Sequence, residues 1–144
     1  MPIERRELKR RLSRVLRDLE GPGASLTLLL ADDRILRKLN RRFRRIDSPT
    51  NVLAFPAGDP PPLPPPEGDP RIPEKYLGDL AVSTETILRE AGEGGGDPRF
   101  LLYFYAVHGI LHLLGHDHER GKREERIQNE ETERLLELIG VARI

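Results

Sequence analysis

Between Asp97 and Gly115 the chain reads Asp-Pro-Arg-Phe-Leu-Leu-Tyr-Phe-Tyr-Ala-Val-His-Gly-Ile-Leu-His-Leu-Leu-Gly, and this segment constrains the fold more than any other. Asp97 can cap a helix and Pro98 suits the first helical position. From Phe100 to Leu114 the segment is apolar almost all round, so the helix has no wet face and belongs at the centre of the structure. Gly115 ends it in the left-handed position.

The remaining elements must pack around that helix. Leu8, Leu12, Val15, Leu16 and Leu19 fall three and four apart, which predicts an amphipathic helix from about residue 4 to just before Gly21-Pro22-Gly23. Residues 25–31 are too short and too uniformly apolar for a surface helix and read as a buried strand. Asp32 and Asp33 provide a cap and first-turn charge for a second helix, with Ile35, Leu36, Leu39 and Phe43 on its inner face. Residues 51–55 and 76–82 read as two further strands. Ser83 caps a helix reaching about Ala91, where Gly92 to Gly96 should break it. A last amphipathic helix runs from about Lys122 to Ile139, with Ile127, Leu135, Leu136, Leu138 and Ile139 as its apolar residues. The proline-rich stretch 58–73 reads as an exposed surface loop with polyproline character, too short to separate two domains. The expectation is one α+β domain over residues 1–144: a small mixed sheet of three or four strands packed with about five helices.

Composition narrows the chemistry. The 144 residues suffice for a core without a disulfide or structural metal, and the absence of cysteine leaves His and carboxylates as the ordinary metal ligands. The N-terminus lacks the apolar stretch of a signal peptide and no segment has the length of a membrane span, so a cytoplasmic location with no membrane partner is expected. Net charge is zero, yet residues 1–45 hold 14 Lys or Arg against 6 Asp or Glu, and the remainder holds 10 against 18. A basic first third could meet a polyanion, or its helices could simply carry solvated arginine faces. The two readings stand level until the charges are seen to converge on one surface.

All four histidines lie between positions 108 and 118, in Val107-His-Gly-Ile-Leu-His-Leu-Leu-Gly-His-Asp-His118. His108 and His112 are one helical turn apart, so both imidazoles leave the same helix face and can grip one ion. The turn at Gly115 allows His118 to return as a third ligand. Three nitrogen ligands leave one tetrahedral position open for water, the arrangement of a catalytic Zn²⁺, one per chain. His116 alternates with His118 across Asp117 and suits a solvent-facing or supporting role behind the ligands; Asp117 can accept the free N–H of a ligand imidazole. Gly109 stands where a His-Glu-x-x-His peptidase carries its general-base glutamate, which disfavours ordinary peptidase chemistry.

The pattern His-Gly-x-Leu-His-Leu-x-Gly-x-Asp-His over residues 108–118 resembles the signature of the YbeY family of bacterial metal-dependent endoribonucleases that mature ribosomal RNA. Leu39-Asn-Arg-Arg-Phe-Arg44 leading to Pro49-Thr-Asn-Val-Leu-Ala-Phe-Pro56, and Leu77-Gly-Asp-Leu-Ala-Val-Ser83, are similar to two more stretches of that family. His116 stands where many relatives have Tyr, which adds a titrating group.

The resemblance implies a zincin-like fold, Zn²⁺ on His108, His112 and His118, a functional arginine at Arg44 with Arg45 beside it on the substrate, and single-stranded RNA as that substrate. It further implies a role at the 3′ end of 16S ribosomal RNA, with the small ribosomal subunit and assembly factors as partners. Physically, a guanidinium near the metal can hold phosphate oxygens bidentately and steady transition-state charge. Two rivals remain: a zinc hydrolase of amide or ester bonds, and a non-catalytic RNA-binding assembly factor whose zinc is structural.

Overall fold

The computed structural model describes residues 3–57, 75–115 and 121–141. In chain order the elements are α1 (Arg5–Glu20), β1 (Ala24–Ala31), α2 (Asp33–Arg44), β2 (Val52–Pro56), β3 (Lys75–Ser83), α3 (Thr84–Gly94), α4 (Pro98–Leu113) and α5 (Lys122–Leu138). The expected α+β architecture of five helices and a small mixed sheet is therefore present, with three strands among the described residues. The proline-rich stretch 58–73 lies outside them.

The strand order is β1-β3-β2, with β3 parallel to β1 and antiparallel to β2. As the central strand, β3 carries the deepest burial, and Leu80, Ala81 and Val82 are all inaccessible. β1 is half-buried along its whole length, not the buried strand that its apolar run predicts. Its edge position accounts for the difference, because only one side of the strand meets another.

Alternation along the strands divides the core into two layers. Leu80, Val82, Val52 and Ala54 belong to the cluster shared with α1, α3, α4 and α5, whereas Ala81, Leu53 and Phe55 pack with Leu36 of α2. α4 touches both strands β2 and β3 and the helices α1, α3 and α5, as expected of the central helix.

Opposite Leu26, β3 holds an extra residue, since Ser25 pairs with Tyr76 but Thr27 with Asp79. Gly78 sits in this bulge at φ +134, and a Cβ there would lie 2.2 Å from the Phe55 carbonyl oxygen. Only glycine fits such a position. The bulge brings in Asp79, 4% exposed, where it accepts a hydrogen bond from the Tyr76 hydroxyl.

The α2 and α3 N-termini face each other and share their caps. Asp32 accepts from the Ile35 N–H at 2.9 Å, while Ser83 caps α3 through the Thr86 N–H. Asp33 accepts from the Ser83 hydroxyl at 2.6 Å, from Thr86 and from Arg89. Burial alone would raise the Asp33 pKa, but these three donors hold its carboxyl below the ordinary aspartate value.

Two inner-face expectations need correction. Ile35 is 40% exposed, and the buried residues of α2 are Leu36 and Asn40, whose side-chain amide donates to the Ser48 carbonyl at 3.0 Å. α3 does not break at Gly92 but continues to Gly94, where Gly95 in the left-handed conformation donates to the Ala91 carbonyl. Buried Ala91 and that cap offset the roughly 1 kcal/mol that each helical glycine costs.

Candidate metal and phosphate site

The histidine face of α4 is built by its neighbours on the helix. His108 and His112 are both half-buried, with ring centroids 4.9 Å apart. Phe104, one turn earlier, stacks on His108 at 6.0 Å with 16° between the planes. From α5, Gln128 lays its amide against the nitrogen-bearing side of His108, Nε2 lying 3.4 Å from Nδ1 and 3.5 Å from the other ring nitrogen. Gln128 is fully buried, and its Oε1 has no hydrogen-bond partner among the described residues.

A buried amide oxygen left without a donor costs about 1 to 3 kcal/mol. Turning the terminal amide by half a turn presents Oε1 to the ring nitrogens of His108, either of which can donate to it in the matching tautomer, and carries Nε2 to the unpartnered position instead. An imidazole whose one N–H is so held offers the lone pair of its other nitrogen outwards, the requirement of a metal-ligating histidine. The donor set therefore fits a metal: two imidazoles one turn apart on a buried helix, one of them backed by an amide. Among the described residues no group of three or more His, Cys, Asp or Glu converges on one point. His118, His116 and Asp117 lie outside those residues.

Gly109 explains why no glutamate follows the first histidine. A Cβ at this position would lie 2.9 Å from a Leu80 methyl carbon and 3.2 Å from one of Val52. Leu80 is fully buried and has nowhere to move. α4 thus rests on the sheet through bare backbone, with His108 and His112 leaving the helix to one side of that contact.

Arg44 and Arg45 close α2 in different ways. The odd residues of β2 bond to β3, as the Ser83 N–H to Asn51 carbonyl and Ala57 N–H to Leu77 carbonyl bonds show, so Ala54 turns its carbonyl to the open edge of the sheet. Arg44 donates to that carbonyl at 2.8 Å, its guanidinium 6.0 Å from the centre of the Phe55 ring. One donor of five is so engaged, and the exposed side chain keeps the rest for a ligand. Arg45 has φ 59 and is the helix C-cap, donating through its backbone to the Asn40 carbonyl. Its backbone is structural, and its side chain is exposed.

Further polar residues lie behind the site that the pattern of histidines and arginines does not reveal. Asn51 donates to Glu90 at 3.4 Å, and Glu90 also accepts from the Tyr105 hydroxyl of α4. Burial first, and the Glu90 carboxylate second, push the Tyr105 phenol up to about 12. On α5, Gln128 and Thr132 are both inaccessible. Their spacing of four, continued by Leu135 and Leu136, was the available signal.

This packing has a direct test: Gly109→Glu, which would recreate the peptidase pattern, should destabilise the protein by about 3 kcal/mol or more and yield no peptidase, because a carboxylate is forced between α4 and β3. Chemical denaturation checks it, and a variant as stable as the parent would show that α4 can lift off the sheet.

Comparison with known proteins agrees with this geometry. Residues 2–139 match the family model described as endoribonuclease YbeY. The endoribonuclease YbeY of Roseiflexus castenholzii is 37% identical over 138 residues, covering 94% of this chain and 84% of that protein. Its counterpart in Rhodopseudomonas palustris is 42% identical over 124 residues, covering 86% of this chain and 62% of that protein. The solution structure of TM1509 from Thermotoga maritima superimposes with a TM-score of 0.65 at 25% identity, over 93% of this chain and 79% of that one. The helix that carries its histidines on one face, the short sheet beneath and the match along nearly the whole chain lead to one assignment: the chain belongs to the endoribonuclease YbeY family, whose members are metal-dependent.

Proposed function

We propose that this chain is a zinc-dependent, single-strand-specific endoribonuclease acting in ribosomal RNA maturation, with His108, His112 and His118 holding one Zn²⁺ and Arg44 holding the phosphate at the cut. Family membership carries the reaction class, hydrolysis of phosphodiester bonds within RNA, and with it a part in ribosomal RNA processing. The observation that carries the finer reading is the His108 and His112 pair, rings 4.9 Å apart, side by side on one flank of the bare contact of α4 with the sheet. Imidazole donors without thiolate or carboxylate suit zinc among the common metals. When bound, zinc would lower the pKa of a water and draw charge from a phosphate oxygen.

The protein's own groups divide the remaining work. Phe104 and Gln128 hold the His108 ring in place before any ligand arrives, so little ordering is left for the binding step. Arg44 approaches from the α2 side of the sheet to the open edge of β2, while the histidines approach from the α4 side. A phosphate at that edge would take the free guanidinium donors bidentately, which steadies the charge that builds on its oxygens. Arg45, next along the chain, adds positive potential for the incoming strand. His118 follows the turn at Gly115, and Asp117 and His116 flank it as supporting groups. A cytoplasmic setting and ribosomal partners suit this reading; no helix among the described residues is long and apolar enough to cross a membrane.

His112→Ala should abolish both bound zinc, about one ion per chain by elemental analysis in the parent, and cleavage of single-stranded RNA. Arg44→Ala should keep the zinc and slow single-turnover cleavage by roughly a hundredfold, the usual effect of removing one transition-state charge partner, while Arg42→Ala leaves that step nearly unchanged. Equal rates for the two arginine variants would reduce Arg44 to a part of the basic surface. Gln128→Leu should weaken zinc binding by roughly ten to a hundredfold in a chelator competition while the fold is retained. Undiminished affinity would make Gln128 a mere core filler.

A further inference from the structure

The basic first third of the chain does not form one surface. It separates into α2, whose end reaches β2 and the candidate site, and α1, which packs on β1 at the other edge of the sheet. On α1 the acidic side chains of Glu7 and Asp18 are already committed, and Glu20 ends the helix, outside the groove lined by Arg10, Arg14 and Arg17. Glu7 pairs with Arg11 at 3.0 Å and with Arg99, and Asp18 pairs with Arg134 of α5 at 2.8 Å. Arg11 also donates to the Ile139 carbonyl. Arg10, Arg14 and Arg17 remain, exposed and in no ion pair among the described residues.

These three arginines line one groove of about 480 Å³ together with Arg11, Ser13 and Ile139. Among the described residues no carboxylate and no aromatic ring belongs to its wall. At 1.5 Å of rise per residue, Arg10, Arg14 and Arg17 span roughly 10 Å of helix on one face. Three unneutralised guanidiniums that close repel one another, and a polyanion relieves the repulsion. A wall without aromatic rings cannot stack bases, so it reads the backbone alone.

Its distance from the chemistry fixes what the groove can do. Arg99, tied to α1 through Glu7, stands nine residues before His108 on α4, or roughly 14 Å along the helix axis. Arg44 lies at the opposite edge of the sheet. The Arg17 end is nearer, because its neighbour Asp18 pairs with Arg134, six residues or roughly 9 Å along α5 from Gln128 at His108, so a long RNA can span the histidines and the whole groove.

We propose that the arginine groove of α1 is a second RNA-binding surface, which grips the phosphate backbone of the substrate at a distance from the bond that is cut. The inference rests on the endoribonuclease reading, and the two can fail separately. In the zinc-loaded protein, Arg10, Arg14 and Arg17 are replaced together by Ala, and separately by Lys. Binding of a long single-stranded 2′-O-methyl phosphorothioate RNA, which resists cleavage, and of a tetranucleotide of the same chemistry is followed by fluorescence anisotropy over a range of salt.

The Ala variant should bind the long RNA at least roughly tenfold more weakly. Its slope of log affinity against log salt should be smaller by roughly 2, about 0.7 for each lost phosphate contact. Its affinity for the tetranucleotide should stay within about twofold of the parent, and the Lys variant should keep most of the long-RNA affinity. An unchanged slope for the long RNA overturns the proposal and leaves the groove to an acidic protein or to solvent. Equal weakening of both RNAs overturns it as well, since only general charge would then have been lost. Loss in the Lys variant as large as in the Ala variant overturns the charge reading. If the parent protein binds neither RNA, the endoribonuclease reading falls and this inference with it.

Discussion

Leu80 and Val52 press against the backbone of α4 at Gly109, leaving no room there for even a methyl group. Helix-to-sheet separation is normally set by the side chains between them, so a glycine at the contact draws the helix axis in. Because α4 is held by this contact on one side, His108 and His112, one position before and three after it, cannot both face the strands. They emerge to one side of it, His108 beside Gln128 of α5. The same contact excludes the carboxylate that a peptidase would need. One missing side chain thus shapes both the packing of α4 and the set of groups that can stand beside its histidines.

Polar groups around this contact are mutually satisfied in small networks that lock neighbouring elements. Asp33 joins the N-termini of α2 and α3, Glu90 joins Asn51 before β2 to Tyr105 on α4, and Asp79 closes the bulge of β3. The first two networks each span separate elements, so α2, which presents Arg44, and α4, which presents the histidines, are each tied to a neighbour. Preorganisation of this kind lets a site built from exposed arginine and half-buried histidine act without rearranging first.

Much of this was legible in the amino-acid sequence because apolar spacing reports burial directly. The order of helices and strands, the central position of α4 and the caps at Asp32, Ser83 and Asp97 follow from residue types alone. Burial that depends on what lies opposite was not legible. Ile35 reads as inner-face yet is exposed, whereas Asn40 beside the same helix stripe is buried because the Ser48 carbonyl accepts its amide. Gln128 and Thr132 were hidden for the same reason, since polar residues enter a core only where a partner waits. The endpoint of α3 was missed because glycines were weighed for their intrinsic cost and not against the cap at Gly95. At the site, the spacing of His108 and His112 already puts their rings side by side, while the contact of Arg44 with the Ala54 carbonyl needs three dimensions. The arginines of α1 and α2 looked like one charged block because sequence distance says nothing about which edge of a sheet a helix covers.

The docking of α5 is uneven along its length. Toward its C-terminal end Leu135, Leu136 and Ile139 are buried, followed by Val141, but toward its N-terminal end the inaccessible side chains are Thr132 and Gln128. The Thr132 hydroxyl is spent within the helix on the Gln128 carbonyl at 2.8 Å. Apolar burial, the main source of docking free energy, thus fades toward the end that lies over His108. That end has the lower local free energy of opening, and it can peel away while the Leu135 end stays anchored. Amide exchange should accordingly be graded along α5, so that the segment screening the imidazole breathes on a faster timescale than the core and admits solvent to the ring without global unfolding.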